Sequence, residues 1–297
     1  PELLTAAGHT VVYADRDMDV IRREIVDADA VLVRIIELPG SLLATAKNLK
    51  IVSKHGVGYD NIDLDYCKSH GVAVTITPNA NSLSVAEHAF TLMLTLAKNI
   101  IPVSNEYRTV GFAAKNHAPG IEMTGKTLGL IGMGRIGKHV LHMCKDGLDM
   151  HVIVYDPYIS EVPEGVEKVD DLSELLRRAD VVTLHCLLTD ETRKLIDRER
   201  LALMKPTALL INCARGPIVD EAALIEALEN GRLAGAGLDV TDPEPVAPDS
   251  PLFKLPNVIV TPHYAPTTVE SATRVSKIAA ENINAVLAGQ EPVGRIV

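Results

Sequence analysis

Thr127-Leu-Gly-Leu-Ile-Gly-Met-Gly-Arg-Ile-Gly137 is the stretch that decides how this chain is read. A short apolar run, 127–131, leads into three glycines spaced Gly132-x-Gly134-x-x-Gly137. A helical pattern over about 135–147 follows and ends near Gly147, and a second apolar run, 152–155, ends in Asp156, 19 residues beyond Gly137. Each part has a physical task. Gly132 permits the tight turn, Gly134 lets the backbone approach a pyrophosphate, and Gly137 lets the helix lie close on the strand. The helix N-terminus offers unpaired N–H groups and the positive end of its dipole to phosphates. Asp156 can accept hydrogen bonds from both ribose hydroxyls and repels a 2′-phosphate, which favours NAD over NADP. The plain alternative is a glycine-rich turn in an ordinary core βα unit, with Asp156 opening the Asp-Pro turn after it. Strand, helix and acid together favour the dinucleotide. Arg135 either pairs with the pyrophosphate or is simply solvated.

Outward from this motif, short β-branched runs alternate with helical stretches. The runs lie at 11–13, 30–33, 51–53, 72–76, 127–131, 151–155, 181–184, 208–212, 235–240 and 258–260. Strand, helix, strand at this spacing reads as parallel sheet covered on both faces, an α/β fold of the doubly wound type. Ten strands crowd one open sheet, so two are expected, with the break near Thr77-Pro78-Asn79. Ser84-Val-Ala-Glu87 has the form of a capping box opening a helix over about 85–101. That helix is apolar nearly all round and must be buried between domains or subunits. Residues 1–7 read as the end of a helix stopped by Gly8; a doubly wound domain starts with a strand, so a first strand is expected to lie ahead of Pro1.

Composition narrows the function. At 297 residues the prior is two domains, and 47 % apolar with 23 % charged residues is ordinary globular composition, which sets disorder aside. Asp and Glu exceed Lys and Arg by 39 to 29, a formal charge of −10 without basic blocks, so neither nucleic acid nor an anionic membrane is an expected partner. Cys67, Cys144, Cys186 and Cys213 form no CxxC pair and no zinc spacing, so no metal and no disulfide framework are expected; a reduced, cytoplasmic setting is. No apolar run reaches the ~18 residues of a membrane span, and no signal peptide is visible.

Three polar residues follow apolar runs in the second half: Arg215 after 208–212, Glu244 after 235–240 and His263 after 258–260. In an open parallel sheet ligands bind beyond the carboxyl ends of the strands, where the cofactor also lies. Reducing a 2-oxo acid needs a hydride, a proton and a clamp for the carboxylate. A histidine, with its ordinary pKa of ~6.5, is suited to donate the proton. A neighbouring carboxylate orients the ring and favours its charged form. An arginine presents a planar fork to a carboxylate. Taken singly, His263 reads as a structural hydrogen-bonder, Glu244 as a solvated loop acid between two prolines, Arg215 as an ion pair and Asp239 as a helix cap. Their co-occurrence beyond the strands of a dinucleotide fold favours catalysis.

These residues resemble the D-isomer-specific 2-hydroxyacid dehydrogenases, which include D-3-phosphoglycerate dehydrogenase and the hydroxypyruvate/glyoxylate reductases. The resemblance runs through Lys54-His-Gly-Val-Gly-Tyr-Asp-Asn61, Thr77-Pro-Asn-Ala-Asn-Ser82, Ser84-Val-Ala-Glu-His88 and Gly125-Lys-Thr-Leu-Gly129. It continues through 132–137, 180–185, Asn212-Cys-Ala-Arg-Gly216, Gly237-Leu-Asp-Val240, Glu244-Pro245 and Thr261-Pro-His263. It implies a Rossmann NAD-binding domain, 78–266, inserted in a discontinuous flavodoxin-like substrate-binding domain, 1–77 with 267–297. It implies a homodimer built largely on the nucleotide domains, and hinges near 77–79 and 266–268. Arg215 would bind the substrate, Glu244 would support the histidine, and His263 would be the acid/base. Arg135, Ile136, Asp156, Cys213, Ala214 and Asp239 would contact NAD beside the glycines, with His185 and Cys186 passing close. Val57 and Gly58 would give backbone amides to the substrate carboxylate.

Departures within the resemblance narrow the substrate. Glu244 argues against formate. Val57 stands where phosphite dehydrogenases carry Lys. No regulatory domain is expected beyond Val297. The substrate-lip segment Val33-Arg34-Ile35-Ile36-Glu37 holds a single cation, Arg34, and a phosphorylated substrate wants more. The expectation is therefore an NAD-dependent enzyme acting on a small unphosphorylated 2-oxo or 2-hydroxy acid of the hydroxypyruvate/glyoxylate type. D-3-phosphoglycerate dehydrogenase is the alternative. A reading of another class is an NAD-sensing binding module like the C-terminal-binding corepressors.

Overall fold

In the computed structural model, which describes residues 1–116 and 119–297, the apolar runs assemble into two parallel sheets. The chain divides into two compact units, Pro1–Asn81 with Thr267–Val297, and Ser82–Pro266.

The first unit holds β1 (Ala30–Val33), β2 (Ile51–Lys54) and β3 (Ala73–Thr75), side by side in that order. Side chains alternate across the sheet. Val52 and Val74 join Ile25, Leu43 and Cys67 on one face, while Ile51 and Ala73 meet Ala280 and Ile283 of the helix Val269–Leu287 on the other. Asp17 and Asp63 cap the helices Met18–Glu24 and Leu64–Ser69 through backbone N–H groups, which satisfies donors the first turn leaves unpaired. Residues 294–297 run antiparallel along β3: the Ile76 amide donates to Gly294 O and the Ile296 amide to Val74 O.

Among the described residues the second unit holds seven strands: β4 (Thr127–Ile131), β5 (His151–Tyr155), β6 (Val166–Lys168), β7 (Val181–Leu184), β8 (Leu209–Asn212), β9 (Gly235–Leu238) and β10 (Val258–Val260). Their order is β10-β9-β8-β7-β4-β5-β6, all parallel. Successive residues again face opposite sides. Leu128, Leu130, Val152, Val154 and Ile211 pack with the helices Ser82–Ala97 and Arg135–Leu148; Ile131, Ile153, Val182, Leu184 and Leu210 pack with Leu175, Leu176 and Leu224. A fully buried Leu or Ile contributes ~1.5–3 kcal/mol, so these two layers dominate the unit's stability. Gly237 keeps the first layer thin: a Cβ there would stand 3.0 Å from Leu92 Cβ. Among the described residues no helix is long and apolar enough to cross a membrane.

Expectations at two places are corrected, and one strand was not expected. Residues 11–13 form no strand: no neighbouring strand supplies ladder partners, and the turn closed by the Asp17 amide on Ala14 O ends the run. The helix expected at 85–101 begins at Ser82, so Ser84 is buried inside it rather than capping it. It also ends at Ala97: Asn99, at φ 51°, separates it from a second helix, Ile100–Val110. Part of its apolar surface packs within its own unit, on Arg135–Leu148, β8 and β9, while Leu83 is exposed. The helix after the glycine turn runs Arg135–Leu148, within a residue of the span read from the sequence, and closes at Asp149, at φ 53°, a region Asp tolerates better than most residues. β6 carries no alternating apolar pattern because it is a short charged edge strand.

Candidate functional site

β4 is the point at which the winding reverses. From β4 the chain steps outward to β5 and β6, then returns to β7 on the opposite side. Two crossovers leaving in opposite directions open a crevice beyond the carboxyl ends of β4 and β7, the place where such sheets bind ligands. The glycine turn lies there. Gly132 has φ +88°, and a Cβ on it would stand 2.8 Å from Cys186 N and from His185 C, so only glycine brings the turn after β4 against the segment after β7. At Gly137 a Cβ would stand 2.2 Å from Gly132 O, whereas Gly134 faces open space. The helix Arg135–Leu148 begins its ladder with the Lys138 amide on Gly134 O (3.0 Å), and no side chain caps it. The amides of Arg135, Ile136 and Gly137 therefore precede the ladder, and Arg135 is exposed at its first position.

Asp156 closes β5 beside this turn. Its carboxylate accepts from Met133 N (2.9 Å) through one oxygen and from Tyr158 N (3.0 Å) through the other, leaving each oxygen further acceptor capacity. His185 shares a 2.8 Å hydrogen bond between Nε2 and the Thr183 hydroxyl, while its enclosed Nδ1 has no partner. Burial pushes the His185 pKa down to about 3, so the ring is neutral at ordinary pH. Burial also pushes the Cys186 thiol up to about 11, and burial together with the Asp239 charge holds the Cys213 thiol well above its usual range. Both are inert thiols. Open space at Gly134, uncapped amides, an acid ending β5 and an unpartnered His185 nitrogen fit a dinucleotide.

The loops after β8, β9 and β10 bring up the other polar residues. The Asn212 side chain accepts from Ala214 N (3.0 Å) and donates to Arg215 O (2.9 Å), fixing the turn that carries Arg215. Arg215 donates through Nη1 to Ala214 O (2.7 Å). A Cβ on Gly216 would stand 1.9 Å from Thr241 O, so this turn lies directly against the loop leading to Glu244. Glu221 accepts from Asp242 N (2.9 Å) and braces that loop from below. Glu244 Oε1 stands 2.7 Å from His263 Nδ1, with both side chains partly exposed.

His263 itself has φ 51°. Asp239, 1 % exposed, holds the segment around it. Its carbonyl accepts from His263 N (2.8 Å). Its carboxylate accepts from the Thr261 hydroxyl (2.6 Å), Tyr264 N (2.7 Å) and Ala265 N (2.9 Å). His88, on the helix Ser82–Ala97, places Nε2 3.0 Å from Thr261 Oγ1. Neither the Asp239 clasp nor His88 was expected as part of this loop; the sequence signals are the motif holding Asp239, 237–240, and those ending in His88 and His263.

Arg34, Val57 and Gly58 belong to the other unit, where Arg34 directly follows β1 and Val57 and Gly58 follow β2. There Lys54, 8 % exposed, donates through Nζ to Arg34 O and to Asn61 Oδ1, and Asn61 Nδ2 donates to Ile36 O (2.6 Å). Among the described residues no group of His, Cys, Asp and Glu could hold a metal ion.

Residues 90–265 match the family model "D-isomer specific 2-hydroxyacid dehydrogenase, NAD binding domain". The chain is 43 % identical over 293 residues to D-3-phosphoglycerate dehydrogenase of Methanocaldococcus jannaschii, covering 97 % of this chain and 55 % of that protein. The chain belongs to the D-isomer specific 2-hydroxyacid dehydrogenase family. It is also 39 % identical over 305 residues to glyoxylate reductase of Thermofilum pendens, covering 98 % of this chain and 88 % of that one. D-lactate dehydrogenase of Aquifex aeolicus, solved with NAD and lactic acid, superposes with a TM-score of 0.83 at 35 % identity, covering 90 % of this chain and 85 % of that one. This chain spans about half the length of the D-3-phosphoglycerate dehydrogenases it matches. The glycine turn, Asp156, His185, Arg215, Glu244 and His263 all fall inside the dehydrogenase family's NAD binding domain.

Two outcomes follow from this geometry. Gly137→Ala forces backbone apart and costs ~1–3 kcal/mol, seen as a lower Tm. Gly134→Ala keeps the wild-type Tm but weakens NADH binding, read by fluorescence titration; equal Tm losses at both positions would contradict the assignment. The second outcome concerns pH. His185 binds a proton only near pH 3 when folded but near 6.5 when unfolded, so its contribution is intact above 6.5 and is lost as pH falls toward 3. Urea unfolding at pH 7 and 4.5 should therefore show an acid loss about 2–3 kcal/mol larger in the wild type than in His185→Gln.

Proposed function

We propose that this chain interconverts a small 2-oxo acid and its D-2-hydroxy acid with NADH and NAD, hydroxypyruvate or glyoxylate being the type of acid preferred over a phosphorylated one. The observation that carries the reading is the 2.7 Å pair of His263 Nδ1 and Glu244 Oε1, on the same sheet edge and in the same unit as the glycine turn. Bound NADH supplies the hydride that reaches the substrate's C2. The residues do the rest. Glu244 accepts a hydrogen bond from Nδ1 and so leaves Nε2 of His263 as the atom that carries the exchangeable proton. In reduction Nε2 gives that proton to the C2 oxygen; in oxidation it takes it back. The guanidinium of Arg215 binds the carboxylate and draws electron density from the adjacent carbonyl.

The preference for an unphosphorylated acid is supported by the Arg34 segment. Beside Arg34 stand Ile35, Ile36 and Glu37, and the ammonium of Lys54 is buried against Arg34 O and Asn61 rather than presented to an anion. That charge pattern suits a small acid better than a phosphate ester. Cys67, Cys144, Cys186 and Cys213 are unpaired, which supports a reducing compartment such as the cytoplasm.

A homodimer is part of the proposal. In the helix Ile100–Val110 no described side chain is buried, yet Ile100, Ile101, Tyr107 and Val110 are apolar and exposed, and Phe112 follows them. Exposed apolar surface of this kind is the ordinary mark of an association face.

The enzymatic reading is tested by following NADH and NADPH oxidation at 340 nm with hydroxypyruvate, glyoxylate, phosphohydroxypyruvate, pyruvate and a bulkier oxo acid. Turnover with hydroxypyruvate or glyoxylate is expected, and His263→Ala should lose about 10²–10⁴-fold in kcat while binding NADH normally. Faster turnover of phosphohydroxypyruvate overturns the substrate preference; NADH binding without turnover of any acid leaves a binding protein instead. Sedimentation should give twice the chain mass, and Tyr107→Asp/Phe112→Asp should halve it.

A further inference from the structure

His88 has no task in the chemistry described so far. It lies on the helix Ser82–Ala97, 173 residues ahead of Thr261 in sequence, yet its Nε2 stands 3.0 Å from the Thr261 hydroxyl and 3.5 Å from Asp239 Oδ1. The direction of the hydrogen bond follows from proton counting. Thr261 has one hydroxyl proton. The Asp239 carboxylate accepts from two amides as well and offers only acceptors, so the 2.6 Å contact to Oδ1 takes that proton. The remaining contact to Thr261 Oγ1 must then be an N–H donated by His88, which fixes the ring with a proton on Nε2. The ring edge also meets Tyr264, centroids 6.3 Å apart at 60°.

The chain of contacts ends at the reacting group. Thr261, Tyr264 and Ala265 bracket His263 and all three are held by the Asp239 carboxylate. His263 itself sits at φ 51°, a left-handed conformation uncommon for residues other than glycine, although His adopts it more readily than most. We propose that His88 is a positioning residue: by donating to Thr261 it locks the hydroxyl toward Asp239, and so holds the 261–265 segment in the geometry that aims His263. This rests on the reading of His263 as the proton donor. His88 touches neither substrate nor proton in this scheme; it acts through Thr261 and Asp239.

The test uses the full chain with NADH and hydroxypyruvate or glyoxylate, whichever the wild type turns over faster. His88→Phe, which fills the space without the donor, should lower kcat about tenfold, the scale expected of a sub-ångström displacement, with KM for both substrates within about twofold. His88→Gln, which restores an N–H, should recover most of the rate. In a Thr261→Val background His88→Phe should cost nothing further, because the shared hydrogen bond is already gone. Amide exchange at Tyr264 and Ala265 should quicken in His88→Phe and not in His88→Gln.

An unchanged kcat in His88→Phe overturns the proposal, as does a His88→Gln variant equally slow, or effects of the two sites that multiply. Should His88→Phe fail to fold, Thr261→Val against Thr261→Ser reads the same bond: the valine variant should be slow and the serine variant normal, and two equally slow variants overturn the proposal. Should the wild type turn over no acid, the enzymatic reading has failed by itself. Exchange at Tyr264 and Ala265 then decides the role of His88, and unaltered exchange refutes it.

Discussion

A parallel ladder cannot be closed by a hairpin. Each strand of the 82–266 unit must hand the chain to a crossover that returns it to the starting edge before the next strand begins. Every loop that leaves a strand therefore leaves at one edge, and the residues placed one to six positions after a strand share it. Gly132 after β4, Asp156 after β5, His185 after β7, Arg215 after β8, Glu244 after β9 and His263 after β10 are gathered in this way. The reversal of winding at β4 adds the crevice. None of these residues is close to another because of local sequence; they are close because all seven strands point the same way.

Gathering loops at an edge does not by itself fix their geometry. Two buried polar anchors do that here. Asn212, 1 % exposed, ties both ends of the turn bearing Arg215, and Asp239 ties the turn bearing His263. Each is the last residue of a strand or the next one after it, so the rigid sheet sets its position. Each satisfies backbone groups that would otherwise lie buried without partners, at a cost of ~1–3 kcal/mol apiece. Gly216 and Gly132 complete the arrangement by leaving out the side chain that would push two loops apart. In the other unit Lys54 and Asn61 brace the loop after β1 in the same manner, through its carbonyls.

Much of this was legible in the sequence because the signals were local. The apolar runs, the glycine spacing and the acid at the end of β5 each declare themselves within about twenty residues. The polar residues after three successive strands followed from topology alone. What stayed hidden was either non-local or without a pattern. His88 and Thr261 share no sequence signature that links them. The break at Asn99 depends on one residue taking the left-handed region, which propensity does not announce. β6 is Val-Glu-Lys, a charged edge whose only qualification is the neighbouring β5. Residues 11–13 erred the other way: they have strand composition but no partner, and composition alone makes no ladder.

The first unit is stitched from both ends of the chain. The Ser53 hydroxyl, in the middle of β2, donates to Ala279 O, 226 residues later, and Asn282 donates to Ile76 O, 206 residues later. At translation speeds of about 5–20 residues per second, β2 leaves the ribosome roughly ten to fifty seconds before the helix that covers it exists. During that interval the 82–266 unit can close by itself, since it is one continuous segment with its own cores. The order of synthesis is thus written into the connectivity: the nucleotide-binding half matures first, and the earlier-made strands wait, with one apolar face bare, for residues 267–297 to arrive. That waiting face is where the nascent chain is most exposed to aggregation and most in need of a chaperone.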